Sequence, residues 1–506
     1  MVKSEKEQYK RTLESLASLG GHLVDITDDS MRTQALTNCQ EAAIVFGEKL
    51  EGCTNPIDVR AIKEYQMIKK IEDFCEQVYQ CSQDFNAHNI TILKAMAAEL
   101  SILLDNIPRT YRVAFLPYKA SMWDSLESIW RCFAADERCE TSVVPIPYFE
   151  ANRQLNQWDT CYEGNQYPDD VPVVYFQEYL LGDKKPDVVF VHNPFDQHNH
   201  VTTVHPAYYS QELRKHCGKI VYVPYFVNPG FLSEDYNELP LLYRADYIVL
   251  QSERMKETCK NFPYYNRVLP FGSPKFDKVI QLNNAKAAPP EEWNVNMDGK
   301  KKLLLNTTVT DFLESGEQLM DKLRRFFEKV VSMNEVVIIW RPHPLLAGTV
   351  KAMRPQFVEK YQQLIDYFIE NKVGVLDETP DISRAVAATD AYIGSHYSSI
   401  MGLFQVCNKP VFCFNSKKII ERGNEPERKR VSAEEAFKTR GEFEFFSAYE
   451  CIEYTFEDFV DDLVGERLGK VLENQRLTEA KISNNLDGTC GEKVYKYIMK
   501  DLVSNE

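Results

Sequence analysis

Short apolar runs separated by stretches of helical spacing recur in two series along this chain, and that alternation limits its fold more than any other feature. The first series holds Val113-Ala-Phe-Leu-Pro117, Thr141 to Pro145, Asp187 to Val191, Ile220 to Val223 and Tyr247 to Leu250. Between the first two, Trp123, Leu126, Ile129 and Trp130 give Ser121 to Cys132 a helical period. The second series runs Lys302 to Asn306, a helix from about Glu317 to Ser332, Val336 to Trp340, a helix around Gln356 to Asn371, Val373 to Leu376, Ala391 to Gly394 and Pro410 to Phe414. Strands that alternate with helices predict parallel sheets, because a parallel connection must cross back over the sheet. Gln281 to Lys300, with Asn283-Asn284 and Pro289-Pro290, has the composition of a linker.

The flanks read differently. Leu13, Leu16 and Leu19, and later Tyr65, Ile68, Ile71, Phe74 and Val78, fall at intervals of three and four, the period of amphipathic helices. After about Lys417 the pattern turns helical again, most clearly over Phe456 to Leu472 and Glu492 to Val503. The expected organisation is therefore a helical N-terminal region (1–108), a first Rossmann-like domain (109–280), a linker (281–300), a second Rossmann-like domain (301–420) and a C-terminal helical region (421–506). The fold class is α/β, with two doubly wound domains facing a cleft.

Charge and cysteine usage narrow the function. Asp and Glu total 75 against 59 Lys and Arg, a net charge of -16, so the chain has the wrong sign to coat a phosphate backbone and nucleic acid is not expected as a partner. Thirteen Cys without a C-x-x-C pair argue against a disulfide framework or zinc ribbon and for reduced thiols in a cytosolic compartment. The charged N-terminus lacks the apolar segment of a secretory signal, and no run reaches the roughly 18 apolar residues of a membrane span.

Ligands of open α/β sheets sit beyond the carboxyl ends of strands, so residues there are the candidates. Trp340 closes a strand and leads into Arg341-Pro-His343-Pro344; the prolines keep the chain extended, and residues two apart share a face. Arg341 brings a fork of donors suited to phosphate, and His343 a donor or a proton. Ala391 to Gly394 runs into Ser395-His396-Tyr397-Ser398-Ser399 and a helix, where Ser398 and Ser399 either meet an anion or cap the helix. Thr307 and Thr308 touch phosphate or end their strand, while Lys275, in Gly272-Ser-Pro-Lys-Phe-Asp277, faces the cleft or belongs to a hinge turn. His192, Asp196, His198, His200 and His205 cluster after another strand; a metal site is the weaker reading, and His192 or His205 as a general base the stronger. There is no Walker loop, no G-x-G-x-x-G after a strand and no H-E-x-x-H, which disfavours P-loop ATPases, ordinary dinucleotide enzymes and zincins and is easier to reconcile with a metal-independent transferase; no cofactor is expected.

The order Gly272-Ser-Pro-Lys-Phe-Asp277, Arg341-Pro-His-Pro344, Asp381 through Thr389-Asp-Ala-Tyr-Ile-Gly-Ser-His-Tyr-Ser-Ser399 and Asn408-Lys-Pro-Val411 resembles the CDP-glycerol glycerophosphotransferase family of teichoic acid synthesis, which has the GT-B fold. The resemblance covers about residues 110 to 420. It implies transfer of a phosphopolyol unit from a CDP-linked or other nucleotide-diphosphate donor to a polyol or glycan acceptor, including a lipid-linked one. The setting it implies is the inner face of the cell membrane, with peripheral membrane contact. The first Rossmann-like domain is then the acceptor side and the second the donor side. Arg341, His343, Ser398 and Ser399 match the family's phosphate-binding elements. His396 stands where the family has Asp, and Val221-Tyr-Val-Pro-Tyr225 stands near the family's W-H-G without a His, so His192 and His205 are substitutes for the base. Two other readings remain: a glycosyltransferase using a nucleotide sugar, and a non-catalytic nucleotide-binding or scaffold protein of the same fold.

Overall fold

The computed structural model describes residues 1–23, 26–51, 59–152, 155–199, 201–227, 234–379, 381–395, 398–414, 448–449, 455–469, 471–473 and 483–504. The chain divides into two compact units, one of Met1–Val113 with Asp136–Thr141 and Asp183–Asp187, the other holding the remainder. In the first unit four helices, Lys3–His22, Asp29–Glu51, Val59–Gln83 and Ala87–Asn106, share a core that includes Leu13, Phe46, Ile68, Ile71, Phe74, Val78, Leu93 and Leu100. Tyr65 is an exception to its predicted stripe, being 58% exposed. Ala87–Asn106 is long and apolar enough by length and composition to cross a membrane, although polar residues interrupt its apolar run. Its Ile90, Leu93, Ala97, Leu100 and Leu104 are nevertheless buried, three or four residues apart, as in the core helix of a bundle.

The second unit holds two parallel sheets, apart from the opening residues of the strands Tyr111–Leu116 and Cys139–Val143, which belong to the first unit. The strands are β1 (Tyr111–Leu116), β2 (Cys139–Val143), β3 (Tyr148–Asn152), β4 (Gln157–Cys161), β5 (Val188–Val191), β6 (Thr202–Val204), β7 (Lys219–Tyr222), β8 (Tyr247–Val249), β9 (Val268–Leu269), β10 (Lys301–Thr307), β11 (Val336–Pro342), β12 (Gly374–Leu376), β13 (Ala391–Ser395), β14 (Val411–Phe414) and β15 (Ala448–Tyr449). The first sheet has the order β2-β1-β5-β7-β8-β9 and the second β12-β11-β10-β13-β14-β15. Both are doubly wound, with strand order reversing between β1 and β5 and between β10 and β13. A small sheet, β4-β3-β6, is antiparallel and was not foreseen; Tyr148-Phe-Glu-Ala-Asn152 has few of the β-branched residues that mark strands.

Period-two alternation in the second sheet sorts its side chains to two cores. Leu303, Leu305, Ile338, Trp340, Ala391, Ile393 and Phe412 pack beneath helices Val309–Met333, Val358–Glu370 and Phe456–Val464. Leu304, Val337, Ile339, Tyr392, Val411 and Cys413 face the other way, toward Pro274–Asn284, Ile382–Ala388 and Ile400–Val406. Both faces are therefore dry, as a parallel sheet requires.

Two expectations about boundaries change. The helix Pro274–Asn284 extends into the predicted linker, and the remainder is docked at Trp293, which is buried in the same core as Phe276 and Leu304. The two C-terminal helices among the described residues pack against different sheets. Phe456–Val464 completes the second sheet's core, while Cys490–Ser504 returns to the first sheet, where Tyr495 meets Phe133 and Tyr497 meets Tyr247.

The Gly272 to Asp277 motif explains that return. Gly272 has φ 99, in the left-handed region, and a Cβ there would run into the Asn484 carbonyl. Asp277, fully buried, accepts bonds from Cys490 N (3.0 Å), Gly491 N (2.7 Å) and Ser128 Oγ (2.8 Å), holding the first turn of the C-terminal helix where its amides are otherwise unpaired. Desolvation raises the Asp277 pKa, against which these three donors act. Asp277→Ala orphans all three, and stability should fall by about 2–5 kcal/mol; urea unfolding measures this, and an unchanged midpoint would contradict the clamp.

Candidate functional site

The carboxyl ends of β10, β11 and β13 lie side by side, with Asn306 paired to Arg341 on one side and to Gly394 on the other. This is the second sheet's switch point. The edge is knitted by polar groups: Asn306 Nδ2 donates to Arg341 O (2.9 Å), His343 N to Thr307 O (2.9 Å), and the Tyr392 hydroxyl to Ser395 O (3.1 Å). The sequence placed Arg341, His343, Thr307, Thr308, Ser398 and Ser399 here, and the structure gathers them at this edge, but their roles divide.

Arg341 is half-buried, with its side chain 17% exposed, and is held rather than free. Nη1 meets Asp377 Oδ2 at 2.6 Å and Nη2 donates to Thr379 O at 2.6 Å. His343 follows on the extended chain, its Nδ1 accepting from Leu345 N (3.2 Å). Partial desolvation lowers its pKa, although its edge is open to solvent. At neutral pH the proton therefore sits on Nε2, and His343 is a neutral hydrogen-bond donor.

Thr307 and Thr308 are structural, contrary to their assignment to donor phosphate. The Thr307 hydroxyl is fully buried and accepts from Trp340 Nε1 (3.2 Å). Thr308 caps helix Val309–Met333 in a reciprocal box with Asp311, whose carboxylate takes both the Thr308 amide (2.8 Å) and hydroxyl (2.7 Å). The end of this helix that would attract an anion thus carries a carboxylate of the chain itself.

The helix after β13 is different. Ser398 Oγ accepts from Ile400 N (3.3 Å), the capping role foreseen as its plain alternative. Ser399 is exposed and its side chain makes no capping bond. Gly394 leaves the space: a Cβ there would press on the Asn306 carbonyl and the Tyr392 hydroxyl. His396 lies outside the described residues.

Lys275 does not reach this edge. It opens helix Pro274–Asn284 and pairs with Asp124 beside the first sheet, Nζ to Oδ2 being 2.7 Å. Asn408 and Lys409 also have local duties, Asn408 in the left-handed region after helix Ile400–Val406 and Lys409 Nζ on the carbonyls of Val386 and Ala387 at the end of helix Ile382–Ala388.

The two histidines proposed as bases fare worse. His192 stands at the β1/β5 switch point, but it is fully buried. Its Nε2 accepts from Tyr118 N (3.1 Å), so Nδ1 carries the proton toward Ser125 Oγ (3.0 Å), which passes its own to Met122 O (2.7 Å). Burial pushes its pKa down to about 3, and the ring is a neutral core group with no lone pair to offer an acceptor. His205 ends β6 near Phe149, and its Nδ1 caps the following turn by accepting from Ala207 N (3.2 Å), which leaves Nε2–H as a donor rather than a base. Asp196 and Ser210 bond one another in the interior, His200 lies outside the described residues, and no cluster of three or more His, Cys, Asp or Glu among the described residues is arranged to hold a metal ion.

The sequence reading missed Asp377, Asn306 and Asp311. Asp377 follows β12 directly, and an acid at a strand's carboxyl end was a legible signal; Asn306 was seen only as the end of a strand.

Fold and edge together define an α/β protein of GT-B-like architecture. Residues 228–419 match the family model described as CDP-Glycerol:Poly(glycerophosphate) glycerophosphotransferase, a span that holds β10 to β14 and all the donor-side candidates but neither His192 nor His205. Among solved structures, a point variant of the wall teichoic acid polymerase TagF aligns at TM-score 0.50 with 13% identity, over 87% of this chain and 99% of that one. A UDP-N-acetylglucosamine 2-epimerase aligns at TM-score 0.49 with 12% identity, over 78% and 97%. Among curated proteins there is no sequence match.

Because His192 is neutral when folded and titrates normally when unfolded, the folded state binds fewer protons between pH 6.5 and about 3, and acidification through that window must destabilise it. The contribution approaches about 1.4 kcal/mol per pH unit. His192→Gln should flatten the fall in stability below pH 6.5 relative to the parent, measured by chemical unfolding at several pH values; parallel curves would contradict the buried neutral ring.

Proposed function

We propose that this chain is a phosphopolyol transferase of cell-envelope polymer synthesis, taking CDP-glycerol or a related nucleotide-diphosphate-linked polyol and passing the phosphopolyol unit to an acceptor hydroxyl. The observation that supports the reading is the side-by-side arrangement of the carboxyl ends of β10, β11 and β13 at the second sheet's switch point, at or after which Arg341, His343 and Ser399 follow in the chain, within the span that matches the glycerophosphotransferase model. The TagF-like fold supports it. In such a reaction the acceptor oxygen bonds to the phosphorus that carries the polyol, the bond from that phosphorus to the CMP oxygen breaks, CMP leaves with the charge, and the acceptor hydroxyl's proton is released to solvent. Arg341, the Nε2–H of His343 and the Ser399 hydroxyl are donors of the kind that stabilise charge gathering on a departing phosphate. The reaction's place on this reading is the cytoplasmic face of the membrane, where a nucleotide-linked donor and a lipid-linked acceptor meet.

Arg341→Ala makes an ambiguous test, because it leaves Asp377 charged and unpaired in the interior. Ser399→Ala is cleaner: the hydroxyl is exposed and uncapped, so the ligand-free melting temperature should not move. A ligand at 100 times its dissociation constant adds about 2.7 kcal/mol, and CDP-glycerol should raise the parent's melting temperature accordingly and Ser399→Ala's far less. Stabilisation by UDP-sugars instead would point to a glycosyltransferase, and no response to any nucleotide would contradict both.

A further inference from the structure

Asp377 is the most heavily used carboxylate at the candidate site, and the transfer chemistry gives it no part. Its side chain is wholly buried. One oxygen takes Arg341 Nη1 at 2.6 Å. The other takes Trp293 Nε1 at 3.1 Å, Thr379 Oγ1 at 2.7 Å and Thr379 N at 3.1 Å. Its own amide continues the sheet by donating to Trp340 O at 2.8 Å. Trp293 belongs to the stretch that joins the two sheets, and it is buried in the core beneath Leu304, Val337 and Ile339.

We infer that Asp377 is a shared anchor: with one oxygen it positions Arg341 for the donor's phosphates, and with the other it fastens the linker, through the Trp293 indole, to the same point. A carboxylate accepts about four hydrogen bonds, and Asp377 takes four donors, three on one oxygen and Arg341 on the other, so the guanidinium and Trp293 are both tied to it. A long Arg side chain ordered beforehand gives up less freedom when a ligand arrives. The Arg341 side chain stays 17% exposed, and a phosphate would meet it through that exposed part. The ligand half of this inference rests on the transferase reading; the anchor itself does not.

The sign of one substitution separates positioning from plain electrostatics. Asp377→Asn removes a negative charge next to an anion site, so charge alone predicts tighter CDP binding. Loss of positioning predicts the reverse, and calorimetric titration of the full chain should show CDP binding about tenfold weaker in Asp377→Asn. Trp293→Phe keeps a ring in the core and deletes the N–H, and it should weaken CDP by roughly threefold at a distance from the ligand. Equal or tighter binding in both variants would overturn the positioning role.

The anchor has its own test without ligand. Trp293 and Arg341 are joined through Asp377, so thermal shifts of Trp293→Phe, Arg341→Gln and the double variant should fail to add, the double losing less than the sum. Additive shifts would overturn the shared anchor even if CDP binds. If the parent binds no CDP while the shifts are non-additive, the donor reading and the positioning role fall together and the anchor alone stands.

Discussion

Burial of both faces of the second sheet is the constraint from which the rest follows. Leu303 and Leu305 point into one core and Leu304 into the other, and the same alternation runs through β11, β13 and β14. A strand dry on both sides has nowhere to present a polar group except at its ends, so Asn306, Arg341 and Ser395 are where the alternation stops. The reversal of strand order between β10 and β13 then parts the crossover helices and leaves room at that edge.

At the edge, chemistry is divided between groups that build and groups that face outward. Thr307, Thr308, Asp311 and Asp377 have their hydrogen bonds satisfied inside the protein. The Asp311 box places negative charge at the start of helix Val309–Met333, so that helix end does not attract an anion. The same economy governs the joint between the sheets, where Asp277 holds the returning C-terminal helix and Trp293 pins the connecting stretch.

Much of this was legible in the sequence. The strands of both parallel sheets, apart from the short β9 and β15, were found within a few residues, because parallel strands are near-continuous apolar runs. Arg341 and His343 were found through the prolines that keep them extended. What was not legible depends on the third dimension. Nothing in His192-Asn-Pro-Phe-Asp196 tells a buried neutral ring from a base, since burial is set by Tyr118 and Ser125, some seventy positions away in sequence. Trp293 sits among prolines and asparagines that read as a linker, and its docking depends on a carboxylate contributed by the end of β12. Of the antiparallel strands, β3 and β4 pair across a short connection while β6 joins from some fifty positions after β3, and the three carry no common pattern.

The most direct test of the central claim is a hydrogen–deuterium exchange footprint of the full chain with and without CDP-glycerol. The account predicts slowed exchange in peptides covering the ends of β10, β11 and β13, around Thr307, His343 and Ser399, with the core strands unchanged. Protection confined to the first sheet, around His192 and His205, with none at the second sheet's edge, would contradict it.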